Sequence, residues 1–459
     1  MIPANALLLT DFYELAMLEA YYAQGMEEEA VFDFHVRALP PGYGYLVAAG
    51  LAQVLEMLRD ARFSDEELAW LRDSGRFGDD FVDYLSGFRF AGSVDAMAEG
   101  TVFFPDEPVL RVTAPMPQAQ LVETRIINLL QYQTLVATKA SRCVSAAPDK
   151  LLVDFGLRRA HGAEAGLLAA RASWLGGFAG TSAVLAGPRF GVPLYGTMAH
   201  SFIEAHDDEM AAFERFARAR PDGLVLLIDT YDTEGAARRL PELAGRLARD
   251  GISIHSVRLD SGDLAEHARR VRRILDDGGL SSVQIFASGG LDEHGVVALL
   301  ADGAPIDGFG IGSKLDTAAD SPYLDCAYKL CEYAGTPRRK HSEHKATWPG
   351  RKQVLRHYDA RGRMTGDRVQ REDEPAGDGE LLLRRVMDHG EIVAPLPTLA
   401  ESRAHCAAQL DRLPPALRAL DAAPSYPVEI SDRVRALARE ADVRIEEHQR
   451  AGGVWRPSS

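Results

Sequence analysis

The residues able to do chemistry in this chain recur at one kind of place, directly after a short apolar run. VPLYGTMAH ends on His200, and LVLLIDTYD ends on Asp229 and Asp232. SVRLDSGD carries Arg258, Asp260 and Asp263, and KLLVDFGLRR carries Phe155, Arg158 and Arg159. GFAGTS ends on Thr181 and Ser182, FASGG on Ser288, Gly289 and Gly290, and GFGIGS holds Gly310, Gly312 and Ser313. An arginine fork grips phosphate or carboxylate through paired N–H groups. Glycines let backbone N–H groups approach a phosphate closely, and a helix start adds a favourable dipole. Carboxylates facing a phosphate-rich pocket hold Mg²⁺ or a sugar diol. Together these residue types describe an enzyme acting on a phosphorylated, sugar-like substrate with Mg²⁺, with one histidine on the same face. Plainer readings stand beside this one. Asp232 and Asp263 fit helix N-caps, Arg159 fits a surface ion pair, glycines make tight turns, and Met198 packs. Asp229 and Asp260, nearer their strand ends, are the better metal or diol candidates. His206, among Asp207, Asp208 and Glu209, reads as a surface residue.

The elements that must position these residues alternate regularly. Short apolar strands are separated by helical stretches at 163–174, 181–189, 206–217, 233–249, 263–276 and 292–301, the pattern of parallel β/α units. The fold class expected is α/β: an irregular, TIM-like β/α barrel of seven to eight strands over residues 118–337, opened by one long helix. Barrels do chemistry at the carboxyl ends of their strands, where the residues above fall. Residues 1–117 read as α+β, with a helix at 10–24 capped by Thr10 and a capping box at Ser64 and Glu67. Residues 338–459 read as two hairpins, the second turning at Asp388-His389-Gly390, followed by helices at 398–411, 414–420 and 431–449. These two terminal segments are expected to form one flanking α+β domain.

Composition narrows the function. In 459 residues, 51 Lys and Arg stand against 67 Asp and Glu, a formal charge of −16. Such a chain is a poor binder of nucleic acid or anionic membranes, which need a basic face. An anionic substrate would need a local cluster of arginines and N–H groups. Four cysteines without a CxxC pair are not a disulfide framework. No apolar run reaches the length of about 18 residues that spans a bilayer, and the first residues lack a basic leader pattern. The expectation is a reduced, cytoplasmic protein.

Eight motifs occur in order: LLLTDFYELAM, DFGLRR, GTMAHSF, LIDTYDT, VRLDSGDL, ASGGLDE, GFGIGS and KATWPGRKQVLRHYD, with LPPALRALDAAPSYPVEISDRVRAL near the end. In this order the chain resembles the nicotinate phosphoribosyltransferase family over nearly its whole length. The resemblance implies an ATP-coupled reaction. Nicotinate and 5-phosphoribosyl 1-diphosphate give nicotinate mononucleotide and diphosphate, through a phosphohistidine and with Mg²⁺. It implies a homodimer with active sites at the interface.

Carried over, His200 matches the phosphorylated histidine, and Asp229 an acid that orients it or binds Mg²⁺. Tyr13 and Phe155 match rings that sandwich the pyridine, Tyr13 coming from the other subunit. Arg158 and Arg258 match residues at anionic groups, Asp260 a ribose or Mg²⁺ ligand, and Gly289, Gly290, Gly310 and Gly312 a phosphate cradle with Ser288 and Ser313. Thr181 and Ser182 bear on the choice of base: the nicotinamide-using relative has an aspartate at the Ser182 position, and a carboxylate there would repel nicotinate. Quinolinate or nicotinamide transfer, and a non-catalytic ligand-binding relative, are the alternative readings. His341 and His344 depart from the family pattern and read as part of a solvated loop.

Overall fold

The computed structural model describes residues 7–340, 347–393, 395–421 and 423–450. His341 and His344 lie outside the described residues. The chain divides into two units, one of Val136–Pro322 and one of Met1–Leu135 with Tyr323–Ser459.

The first unit is the barrel. Six strands run in parallel: β1 (Leu151–Asp154), β2 (Gly180–Thr181), β3 (Leu224–Leu227), β4 (Ile254–Leu259), β5 (Gln284–Ser288) and β6 (Gly308–Ile311). They pair in the order β2-β1-β6-β5-β4-β3, so the first strand of the unit pairs with the last. A seventh position, Leu194, adds one parallel bridge to Thr181 beside β2. The strand expected at VPLYGT is reduced to this bridge because Pro193 has no N–H to donate; its carbonyl accepts from Thr181 N at 3.0 Å, and Tyr195 N donates to Thr181 O at 2.9 Å. Among the described residues no ladder joins Leu194 to β3, which leaves one seam in an otherwise sequential ring. The architecture is the irregular TIM-like β/α barrel.

The strands are near-continuous apolar runs because both faces are covered, as parallel strands require. Leu226, Leu227, Val257, Leu259, Ile285, Ala287, Phe309 and Ile311 are all buried. The covering helices bury one stripe each. Leu264–Asp277 buries Ala265, Ala268, Val271 and Leu275, a helical spacing, and Thr233–Ala248 buries Leu240, Leu243 and Leu247. Truncating one of these leucines to alanine should cost about 2–5 kcal/mol. The helix expected at 181–189 is shorter, Ala186–Phe190.

The second unit is built from both chain ends. Glu29–Val36 lies between Pro108–Pro115 and Cys326–Tyr333, and Ser93–Ala96 pairs with Arg384–Asp388. Neither terminal segment supplies this antiparallel sheet alone. Residues 326–333, read from sequence as barrel, belong here because they pair with Glu29–Val36. The divisions therefore fall at 135/136 and 322/323, where the sequence pattern suggested 117/118 and 337/338. The expected long helix is two, Met116–Leu121 and Glu123–Ala146, the second running through the first division. The first helix, Phe12–Gln24, starts after Asp11 rather than Thr10. The capping box at Ser64 and Glu67 forms, and so does the hairpin turn at His389-Gly390, where both residues take positive φ. Among the described residues no helix is long and apolar enough to cross a membrane.

Candidate active site

Parallel register sets the site, because it brings the ends of neighbouring strands level. Phe286 pairs with Arg258, and Ala287 with Leu259, so Ser288 at the end of β5 meets the residues leaving β4. Arg258 Nε donates to Ser288 Oγ at 2.8 Å, Nη2 to Asp260 Oδ1 at 2.6 Å and Nη1 to Thr197 Oγ1 at 3.3 Å. Ser288 Oγ also donates to Asp260 Oδ1. The guanidinium lies over the Phe155 ring, 5.2 Å from its centroid, at cation–π range. Burial would raise the Asp260 carboxyl, but the Ser288 hydrogen bond and the Arg258 charge outweigh it and hold the group below its ordinary value. Asp260 is therefore a carboxylate, fixed in place and still a third exposed.

Asp229 sits at the neighbouring strand end. Its Oδ2 accepts from Asp260 N at 2.9 Å and Ser261 Oγ at 2.7 Å, while its Oδ1 is buried with no hydrogen-bond partner among the described residues. An orphaned buried carboxylate oxygen is costly unless something else meets it. His200 opens the short helix His200–Glu204, and its Nδ1 lies 3.1 Å from Thr230 Oγ1. Thr230 thus meets the ring at Nδ1, while the oxygen of Asp229 that bonds is turned to the Asp260-Ser261 backbone and hydroxyl. His200 lies close enough to Asp260 for its charge to favour the carboxylate.

Other expected residues fall elsewhere. At Gly310 a Cβ would lie 2.5 Å from the Phe155 ring, so its missing side chain makes room for that ring. Gly312 likewise presses on the backbone of Phe155, at 2.7 Å. Gly289 makes room for the Asp260 carbonyl oxygen, to which a Cβ would come within 2.2 Å. Gly289 and Gly290 both have positive φ, Gly290 faces open space, and among the described residues neither N–H makes a backbone hydrogen bond. Ser313 Oγ accepts from Arg159 Nη1 at 3.1 Å, which places Arg159 at the strand ends rather than in a surface ion pair. Arg158 is exposed.

Thr181 is fully buried. Its hydroxyl donates to Asp154 Oδ2 at 2.6 Å and accepts from Ala183 N at 3.0 Å, so it braces the wall rather than touching a ligand. Ser182 beside it is half-buried. Tyr13 belongs to the other unit, on the helix Phe12–Gln24, and is 46% exposed. Thr197, Thr230, Ser261 and Asp154 were not singled out from sequence. The first three adjoin residues that were, and Asp154 lies at the end of β1 in the quoted DFG.

Among the described residues no group of three or more His, Cys, Asp or Glu forms a metal cluster. Asp229 Oδ1 and Asp260 nevertheless suit a Mg²⁺ ion, which binds proteins through one or two carboxylates and takes its other ligands from water and substrate phosphate.

A β/α barrel that gathers an arginine, two carboxylates and a glycine pair at the carboxyl ends of its strands has the arrangement of the barrel class of enzymes. Three family models describe the chain further: the nicotinate phosphoribosyltransferase N-terminal domain over residues 8–131, the family itself over 151–337, and its C-terminal domain over 376–438. A Mycobacterium tuberculosis nicotinate phosphoribosyltransferase is 48% identical, covering 93% of this chain and 92% of its own. One from Bacillus subtilis is 40% identical over 82% of this chain and 78% of its own. The crystal structure of human nicotinic acid phosphoribosyltransferase superposes with a TM-score of 0.84 at 31% identity, over 94% of this chain and 99% of that one. The chain belongs to the nicotinate phosphoribosyltransferase family, and it is a transferase.

Proposed function

We propose that the protein joins nicotinate to 5-phosphoribosyl 1-diphosphate, giving nicotinate mononucleotide and diphosphate for NAD biosynthesis, with ATP hydrolysis coupled through phosphate carried on His200. The observation that carries this reading is the Arg258–Asp260–Ser288 cluster beside Asp229 and His200, in a chain of this family.

In the transfer, the pyridine nitrogen attacks C1 of the ribose and the C1–O bond to diphosphate breaks, the leaving group taking the electron pair. Phe155 offers a ring face to the base, and in a homodimer Tyr13 of the second copy supplies the other face. Ser182 presents a neutral hydroxyl to the nicotinate carboxylate, and Arg158 and Arg258 supply positive charge to the substrate's anionic groups. The N–H groups of Gly289 and Gly290 receive phosphate oxygens, with Ser313 and Arg159 beside them. Asp260 faces the ribose hydroxyls. Asp229 and Asp260 would hold Mg²⁺, which supplies charge neutralisation at the diphosphate.

For the coupling, Thr230 Oγ1 anchors the ring at Nδ1, and with the proton on Nδ1 the Nε2 lone pair is the nucleophile. Nε2 attacks the γ-phosphorus of ATP, the bond from that phosphorus to the bridging oxygen breaks, and ADP departs. Incubation with γ-labelled ATP tests this. Wild type should acquire an acid-labile label that His200→Asn lacks; equal labelling of both would refute it. These substrates and a catalytic surface of this kind are consistent with an enzyme working in the cytoplasm.

A further inference from the structure

Behind the wall formed by Phe155 and Ser182 lies a second pair of acids that the proposed reaction does not use. Asp154 ends β1 and is fully buried. Its Oδ1 accepts from Gly156 N at 2.7 Å and its Oδ2 from Thr181 Oγ1 at 2.6 Å. Its backbone carbonyl accepts from Ser182 N at 2.9 Å. Asp316, at the end of the short helix Ser313–Asp316 that follows β6, is also fully buried. Its carboxyl rests on Gly156, where a Cβ would come within 2.1–2.4 Å of its carboxyl atoms. One side chain therefore ties together the loop bearing Phe155 and the loop bearing Ser182, and a second acid closes on it from a third element.

Two carboxyl groups in such contact cannot both be ionised, so they share a proton. The hydrogen bonds say which acid holds it. Both carboxyl groups meet at Gly156, and both oxygens of Asp154 already accept from donors, which suits an anion at Asp154 and the proton on Asp316. Burial first, then the charge of Asp154 and the hydrogen bond to it, holds the Asp316 carboxyl well above its ordinary value. Asp154 is raised by burial as well, with the Thr181, Gly156 and Asp316 hydrogen bonds working against the rise. The charged residues on the adjoining segments are Arg158 and Arg159 after β1, Lys314 on the short helix, and Glu164 and the buried Arg171 on the helix Ala163–Leu175 that packs against both. Lys314 is held by Asp292 at 2.7 Å, and Arg159 by Ser313; β2 contributes the Thr181 hydroxyl.

We propose that Asp316 and Asp154 form a one-proton pair that positions the base pocket, Asp316 being a positioning residue that acts through Asp154 on Phe155 and Ser182. This rests on the reading that the base lies against Phe155 and Ser182.

Two isosteric variants separate a proton-sharing pair from mere packing. Asp316→Asn keeps a donor toward Asp154 and should leave the KM for nicotinate within about threefold of wild type. Asp154→Asn turns an N–H₂ group toward the donors Gly156 N or Thr181 Oγ1, and should raise the KM for nicotinate about tenfold, with the KM for 5-phosphoribosyl 1-diphosphate moved much less. Losing the proton at high pH makes two buried anions, so kcat/KM for nicotinate in wild type should fall on the alkaline side, and that fall should be missing in Asp316→Asn. If Asp154→Asn does not fold, the pH comparison of wild type with Asp316→Asn decides by itself. The infrared difference spectrum between these two at pH 8 should contain a carboxylic-acid C=O stretch from Asp316, whatever base the enzyme uses. Equal losses in both variants, the same alkaline fall in both proteins, or no such band would overturn the pairing. Wild-type turnover of nicotinate in the same assay tests the pocket reading separately.

Discussion

The loops after β3 and β4 each carry two aspartates, at the strand end and three residues on, and the two positions do opposite work. Asp232 and Asp263 accept from Gly235 N at 2.9 Å and Glu266 N at 3.0 Å, each closing the start of its helix. Their oxygens serve backbone donors that would otherwise be orphaned. Asp229 and Asp260 face the strand ends instead. Asp260 is gripped by Arg258 and Ser288, and Asp229 keeps a buried oxygen without a hydrogen-bond partner among the described residues. The same residue type is thus spent on stability at the helix start and held ready for a ligand at the strand end. What distinguishes them is where the donors come from: the adjoining helix in one case, other strands in the other.

The sharpest way to break this contrast is at Asp260. Asp260→Asn should lower kcat/KM for 5-phosphoribosyl 1-diphosphate by about 10²–10³-fold, the usual cost of losing one preorganised polar contact in an active site. Melting should change little, and steady-state kinetics beside a thermal melt would show both; a large melting shift with kinetics intact would make Asp260 structural. A smaller effect is expected at Thr230. Thr230→Val removes the partner of His200 Nδ1 and should slow phosphorylation by ATP by about tenfold, roughly 1.4 kcal/mol in the barrier, while nicotinate affinity stays level. Rapid-quench labelling measures it, and an unchanged rate would leave the ring orientation to other contacts. The smallest effects on activity belong to the caps. Asp232→Ala and Asp263→Ala should each cost about 1 kcal/mol of stability and leave kcat/KM within about twofold. Denaturant unfolding with kinetics on the same samples checks it, and a catalytic loss like that of Asp260→Asn would erase the distinction.

Much of this contrast was legible without coordinates. Asp232 and Asp263 precede helical patterns by the spacing a cap requires, while Asp229 and Asp260 end apolar runs. The alternation of runs and helices also pointed to the barrel and to its carboxyl-end face. Glycine was the harder residue. ASGG and GIGS look alike as strings, yet Gly290 faces open space, while Gly289 makes room for the Asp260 carbonyl and Gly310 and Gly312 make room for Phe155. A glycine reports that a side chain is forbidden, not whether a ligand or a ring occupies the space. For Asp229 the sequence left two roles open, orienting His200 or binding Mg²⁺, since Thr230 and Asp229 are adjacent and only the direction of their side chains separates them.

By itself the sequence determined the periodicity of the β/α units, the helix caps, the terminal segments' separate character and the residue types available at each strand end, because these depend on neighbours within a turn or a strand. The tertiary structure alone decided the partners. Parallel register set Ser288 against Arg258 and Asp260, the antiparallel sheet drew 326–333 to Glu29–Val36, and the pairing of β6 with β1 brought Asp316 to Asp154. Contacts between groups far apart in the chain are fixed by the packing of whole elements, and no local pattern encodes them.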